Sequence, residues 1–275
     1  MDKYFSVIMS VYKNDVPEFV SIALDSILEY QTIKPNEVVL VRDGHVPDEL
    51  DYLLDEYEKR YPQVLNIIRL EQNIGLGNAL KIGVENAKYD IVARMDSDDI
   101  CMAKRFELQS EYIKQHPDVD IVGGQITEFI DSPTNIVGKR IVPCDNDKIY
   151  EFMKSRCAFN HVTVMFRRNA ILGVGNYQDW FWNEDYYLWV RMMTAKCVFA
   201  NVPEVLVNVR TGVGQYARRG GWRYFKSEMG IQRYMFDNHL INGRGYLINV
   251  IKRLIVQVLL PNRIRGWVYR TFARE

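Results

Sequence analysis

The sequence predicts an α/β protein: a Rossmann-like, mostly parallel sheet flanked by helices, followed by a helical C-terminal extension. Three observations predict it. Short apolar runs alternate four times with stretches of helical periodicity, the pattern of parallel βαβ units. The runs are nearly continuous rather than alternating, as in strands covered on both faces. Polar residues gather just past the strand ends, where open α/β sheets bind their ligands.

The elements follow in order. Residues 5–12 read as a strand that ends in the polar turn Lys13-Asn14-Asp15. Pro17 opens a helix with Phe19, Ile22, Ala23 and Ile27 at helical spacing. Residues 37–41 form a second strand that ends in Arg42-Asp43-Gly44, and Pro47 opens a helix carrying Leu50, Leu53, Leu54 and Tyr57. Residues 65–70 form a third strand. Asn73-Ile74-Gly75-Leu76-Gly77-Asn78 then leads into a helix through Ala87; this is neither a dinucleotide fingerprint nor a Walker loop.

The fourth strand ends in the stretch on which the chemistry turns: Ile91-Val92-Ala93-Arg94-Met95-Asp96-Ser97-Asp98-Asp99. Three carboxylates within four residues repel, and each resists ionising beside the others. Solvation or a shared cation relieves that repulsion. Hard oxygen ligands suit Mg²⁺ or Mn²⁺, which complete their shells with water and substrate phosphates. The cluster therefore reads as a metal–diphosphate site, or as an acidic cap on the next helix. Asp43, also at a strand end, suits a base ring N–H or ribose hydroxyls, or a plain turn.

A helix is expected up to His116, where Pro117 stops it, and a strand at 119–124. The loop-rich stretch 131–147 is expected to mark a change of sheet. Residues 161–168 read as a strand with His161 at its start, a structural histidine or a substrate contact. Residues 175–189 are dense in aromatics and run into an amphipathic helix. Glu184 and Asp185 fall in its first turn, with Asn183 as cap. They complement the helix dipole, or they supply a general base in a partly dry pocket. Aromatic faces such as Trp182 suit a sugar ring. A base that deprotonates an acceptor hydroxyl and a metal that stabilises a departing diphosphate describe one reaction.

In this order and spacing the residues resemble the family 2 glycosyltransferases. The resemblance covers roughly residues 4–210. It rests on Ser6-Val7-Ile8-Met9-Ser10-Val11-Tyr12, Val41-Arg42-Asp43-Gly44, Asn73-Ile74-Gly75-Leu76, Ala93-Arg94-Met95-Asp96-Ser97-Asp98-Asp99, Val164-Met165-Phe166-Arg167 and Glu184-Asp185-Tyr186. It implies the GT-A fold, a nucleoside-diphosphate-sugar donor such as a UDP-sugar, and inversion at the anomeric carbon. By this likeness Ser10, Val11 and Tyr12 frame the nucleoside and Asp43 contacts the base, with Asn73, Gly75 and Arg94 also on the donor side. Asp96 touches ribose or metal, Asp98 binds Mn²⁺ or Mg²⁺ on the diphosphate, and Asp185 is the general base with Glu184 beside it. His161 and Trp182 fall on the acceptor side. The implied division is a catalytic domain at 1–210, with a nucleotide-sugar half at about 1–100 and an acceptor half at about 101–210. Residues 211–275 form the extension.

The whole chain looks like bacterial enzymes of O-antigen and exopolysaccharide assembly. Some of those add β-1,3-linked galactose or glucose to a sugar on undecaprenyl diphosphate, and the resemblance implies a place at the cytoplasmic face of the inner membrane. Arg218 and Arg219 would then clamp a diphosphate of acceptor or donor. A sugar nucleotidyltransferase and a non-catalytic, membrane-peripheral module that binds nucleotide sugars are the alternatives.

Charge supports a surface partner. The chain has 275 residues and net charge +0, but residues 210–275 carry thirteen Lys/Arg against three Asp/Glu, so the front is about −10 and the tail about +10. Residues 222–239 and 247–260 read as helices, the second with Asn249, Arg253 and Gln257 on one polar stripe. Pro261 ends it, and Arg263, Arg265, Arg270 and Arg274 follow, mixed with Trp267, Tyr269 and Phe272. This suits a helix packed on the core with a solvated basic end, or an interfacial anchor, where each basic residue near an anionic leaflet contributes about 1 kcal/mol. No nucleic-acid partner, signal peptide or spanning helix is expected. The four scattered cysteines suggest neither zinc nor disulfides, and fit a reduced, cytoplasmic setting.

Overall fold

The computed structural model describes residues 4–212 and 220–261. Its first half is the expected run of βαβ units: β1 (Ser6–Val11), α1 (Pro17–Leu28), β2 (Glu37–Arg42), α2 (Asp48–Arg60), β3 (Leu65–Arg69), α3 (Leu76–Asn86) and β4 (Ile91–Arg94). These strands are all parallel, in the order β3-β2-β1-β4. The order reverses at β1, so a crevice opens beyond the carboxyl ends of β1 and β4.

The burial pattern explains the continuous apolar runs. Successive side chains of a strand point to opposite faces. Val7, Met9 and Val11 therefore enter one core with Leu24, Leu40 and Phe106, while Ile8 enters the other with Val39, Leu80 and Trp189. Each fully buried apolar side chain of this size contributes about 1.5–3 kcal/mol, and the fully buried polar side chain of β1, Ser6, donates its hydroxyl to the Glu37 carboxylate.

The second half is mixed. It comprises β5 (Ile100–Cys101), α4 (Arg105–Gln115), β6 (Ile121–Phe129), β7 (Ile136–Arg140), α5 (Asn146–Met153), a 3₁₀ turn (His161–Thr163), β8 (Met165–Arg167), α6 (Arg168–Gly173), α7 (Glu184–Thr194) and β9 (Phe199–Arg210). β8 lies antiparallel between β4 and β6, and β9 runs parallel to β6. β5 pairs antiparallel with β9.

Four expectations change. No sheet change occurs at 131–147: β7 folds back antiparallel on β6, in the same sheet, and α5 follows. β6 runs on to Phe129 rather than stopping at Gly124, because β9 supplies a partner along its length. His161 stands on the 3₁₀ turn, since its segment reaches the sheet only at Met165. Asn183 precedes α7, but its side chain does not cap it; the amide donates instead to the Ser227 hydroxyl, 3.1 Å away.

The extension is helical as expected, with α8 (Trp222–Asp237) and α9 (Gly243–Arg253) running into a π-helical turn (Leu254–Leu259). α8 packs on the aromatic segment before α7, where the Trp180 indole donates to the Ser227 carbonyl at 3.0 Å. The polar stripe of α9 faces inward and packs this helix on the core: Asn249, Arg253 and Gln257 are buried, while the basic end expected to be solvated, Arg263 to Arg274, lies outside the described residues. Asn249 donates to the Lys154 carbonyl and Arg253 to that of Ser155. All four cysteines are free thiols, and among the described residues no helix is long and apolar enough to cross a membrane.

Candidate active site

The crevice is built from strand ends. β1 ends beside β2, with Val11 in register with Arg42, and the Asp43 amide donates to the Val11 carbonyl at 2.7 Å. The Val11 side chain lies in the core, so only its backbone faces the crevice. Ser10 is half-buried and Tyr12 is exposed. Asp43 is buried, and its carboxylate accepts from the amides of Ile74 and Gly75 and from the Asn73 side chain, at 2.7, 3.0 and 2.9 Å. Gly75 has φ +85°, a conformation open to glycine. Asp43, Asn73 and Gly75 thus form one unit in which a strand end anchors the loop that starts α3.

The acidic turn follows β4. Arg94 is buried and grips the Asp96 carboxylate with both terminal nitrogens, one at 2.8 Å. Such a bidentate pair fixes orientation as well as charge. Asp99 is buried, and its carboxylate accepts from the Arg210 amide at 2.8 Å, so β9 pins the turn. Burial, and then Asp96 and Asp98, push the Asp99 carboxyl well above its usual range. Asp98 reaches solvent at the tip. Shielding by the surrounding protein and repulsion from Asp96 and Asp15 push its carboxyl up to about 6.

Asp15 escaped the sequence reading. Its carboxylate accepts from the Ser97 hydroxyl at 3.0 Å, and burial raises it to about 6. The available signal was its place in the turn after β1, which leads to the same crevice as the turn after β4.

Across the crevice stands the second carboxylate pair. The antiparallel entry of β8 sets its 3₁₀ turn beside the end of β4. His161 Nε2 shares a hydrogen bond with the Tyr177 hydroxyl at 2.9 Å, and its Nδ1 lies 4.0 Å from the Asp185 carboxylate. Burial, and then Arg94, hold this imidazole well below its usual pKa and hence neutral. Tyr177 is the other residue that sequence reasoning missed. Burial and Asp185 push Glu184 up to about 7, and Glu184 packs towards Gly77 of α3.

One cavity of about 780 Å³ is lined by Asp96, Asp99, His161, Trp182 and Asp185; Ser10, Tyr12, Asp43, Asn73, Gly75, Arg94, Asp98 and Glu184 are not among its lining residues. Trp182 is 51 % exposed and has φ +54°. A bulky residue held in the left-handed region is strained, and such strain gathers at functional sites. The extension closes the wall with Tyr224, Glu228, Lys252 and Arg253. Arg218 and Arg219 lie outside the described residues.

Among the described residues no three His, Cys, Asp or Glu side chains group as a metal site. Asp98, its carboxyl raised by burial and then by Asp96 and Asp15, nevertheless fits a cation that takes one or two protein carboxylates and completes its shell from a diphosphate.

The family model described as Glycosyl transferase family 2 matches residues 6–181. The chain is a family 2 glycosyltransferase. It is 40% identical to the amylovoran biosynthesis glycosyltransferase AmsE of Erwinia amylovora, over 96% of this chain and 97% of that one. It is 37% identical to the UDP-Gal:alpha-D-GlcNAc-diphosphoundecaprenol beta-1,3-galactosyltransferase of Escherichia coli, over 98% and 97%. In fold this glycosyltransferase resembles S. aureus TarS 1–349 in complex with UDP-GlcNAc, with TM-score 0.66, 16% identity and coverage of 92% and 72%. It also resembles a Pyrobaculum calidifontis mannosyltransferase in complex with GDP-Man and Mn²⁺, with TM-score 0.62, 16% identity and coverage of 97% and 78%. The mixed sheet flanked by helices is thus the GT-A fold that the motifs implied.

Proposed function

We propose that this glycosyltransferase moves galactose or glucose from a UDP-sugar to a sugar carried on a lipid diphosphate, with inversion and a β-1,3 linkage. The reaction belongs to O-antigen or exopolysaccharide assembly at the cytoplasmic face of the inner membrane. The observation that carries the reading is one cavity lined both by the acidic strand-end residues Asp96 and Asp99 and by Asp185 with His161 4.0 Å from it. The whole-length likeness to a galactosyltransferase named for a diphosphoundecaprenol acceptor supports the substrate class.

The placement of these residues supports the following roles. The unit of Asp43, Asn73 and Gly75 lines the base end of the donor site, with Ser10 to Tyr12 beside it. Arg94 holds Asp96 towards the ribose or diphosphate. Asp98, with Asp96, would hold Mn²⁺ or Mg²⁺, which when bound would supply charge neutralisation at the diphosphate. Asp185 takes the proton of the acceptor hydroxyl as that oxygen bonds to the anomeric carbon. The bond from that carbon to the diphosphate oxygen breaks, and its electron pair leaves with UDP. His161, neutral and tied to Tyr177, orients Asp185 and the acceptor. Trp182 offers its face to the acceptor ring.

The test is release of UDP from a panel of UDP-sugars, with Mn²⁺ and with EDTA, with and without a diphospholipid-linked sugar. Metal-dependent release from one donor, accelerated by the acceptor, is expected. No release under any combination would overturn the reading.

A further inference from the structure

The helix that closes the active-site cavity has two unlike faces. One carries Asn249, Arg253 and Gln257, all buried, with Arg253 and Gln257 reaching Glu228 in the cavity wall. The other carries Leu247, Ile248, Ile251, Ile255 and Leu259, which are 40–65 % exposed. Both stripes repeat at a spacing of about four. That spacing runs ahead of the 3.6-residue α-turn, and the wider π-turn at Leu254–Leu259 takes up the slip. The apolar stripe therefore stays on one side for the whole length of α9 and the turn that follows.

An apolar ridge on an exposed helix marks a contact surface, and charge decides what it contacts. Between Asn238 and Arg274 there is no Asp or Glu, while Arg244 and Lys252 are exposed on α9 itself. Residues 262–275 add four arginines with Trp267, Tyr269 and Phe272. A symmetric second copy would bring cation against cation. A strip three to four turns long also falls short of the roughly 800 Å² per partner in a stable dimer. Leu and Ile flanked by Lys and Arg, on a helix too short to span, match a helix lying in the plane of an anionic bilayer.

We infer that α9 and its π-turn rest on an anionic bilayer surface through this ridge, and that the same helix thereby holds the cavity mouth against the membrane. The inference rests on the lipid-linked acceptor proposed above. Lys252, which lines the cavity and reaches solvent, stands at the junction of ridge and mouth. The acceptor sugar enters the cavity while its lipid stays in the leaflet.

The test uses the full chain with phosphatidylethanolamine vesicles, with and without phosphatidylglycerol. The wild type sediments with the anionic vesicles, and less so at high salt. The combined variant Ile251→Gln, Ile255→Gln, Leu259→Gln binds them about tenfold more weakly. Its transfer to a polyprenyl-diphosphate acceptor in vesicles falls by a similar factor, while transfer to a short-chain, water-soluble acceptor stays unchanged. Arg244→Glu, on an exposed side chain outside the cavity, weakens anionic binding with the fold intact. A wild type that stays in the supernatant overturns the inference, as does a triple variant that sediments like it. So does a wild-type dimer that the triple variant converts to monomer. Vesicle binding without transfer to either acceptor removes the lipid-linked substrate and leaves the surface contact standing.

Discussion

Glu228 of α8 and Arg253 of α9 pair at 2.6 Å, both nearly buried, in the wall of the cavity that Asp96 and Asp185 also line. Gln257 donates to the same carboxylate at 2.8 Å, and Arg253 also reaches the Ser155 carbonyl. Removing one partner of a buried pair strands the other charge. Arg253→Met is therefore expected to cost about 3–5 kcal/mol in urea unfolding. Adding Glu228→Gln should recover part of it. A loss below about 1 kcal/mol would place the pair with ordinary surface bridges.

Asp185 is the one α7 carboxylate that lines the cavity. Asp185→Asn keeps the shape and removes the base, so transfer should fall about 10²–10⁴-fold while UDP-sugar binding persists. Calorimetric titration of the donor beside a transfer assay separates the two. Unchanged transfer would remove Asp185 from the role.

Trp182 presents its ring at the cavity rim from a strained backbone. Trp182→Ala is expected to raise the acceptor KM about five- to tenfold and to leave the donor KM unchanged. Equal effects on both would mean that the residue shapes the site as a whole.

Glu184 sets a pH dependence of stability. Its carboxyl rises from 4.5 to about 7 on folding, through burial and then Asp185. The folded state therefore binds the proton more tightly, and stability is lost as pH rises from about 4.5 through about 7. Glu184→Gln removes this penalty. Denaturant unfolding should show the variant about 1–3 kcal/mol more stable than wild type at pH 8, and equal to it at pH 4. A constant difference across pH would exclude Glu184 as the source.

Gly44 has φ +84°, and a Cβ there would lie 2.5 Å from the Asn73 backbone nitrogen. Gly44→Ala must disturb the loop that Asp43 anchors. It should lose about 1–3 kcal/mol and raise the KM for the UDP-sugar. A donor KM at the wild-type value would detach this loop from the donor site.

The first half of the fold was legible because its signals are local. Pro17 sits at the first turn of α1, and Val7, Ile8 and Met9 are apolar in succession because both faces of β1 are covered. The second half was harder to read. β5 has two residues, too short for periodicity to register, and the strand read at 161–168 shrinks to the three residues of β8; both are held by the strands beside them. Asp98 and Asp185 stood out by residue type and motif, whereas Asp15 and Tyr177 did not. Their significance lies in hydrogen bonds to Ser97 and His161, 82 and 16 residues away in sequence.

The sequence by itself determined the family, the βαβ order and the two carboxylate clusters, because apolar period and motif are properties of neighbouring residues. Tertiary structure alone decided that β8 enters antiparallel and sets His161 beside Asp185, and that Arg94 is spent on Asp96. It also decided which way α9 faces. Its polar stripe turns inward because Glu228, Lys154 and Ser155 satisfy it. A helix buries whichever face finds partners, and those partners lie on segments that only the folded chain brings near.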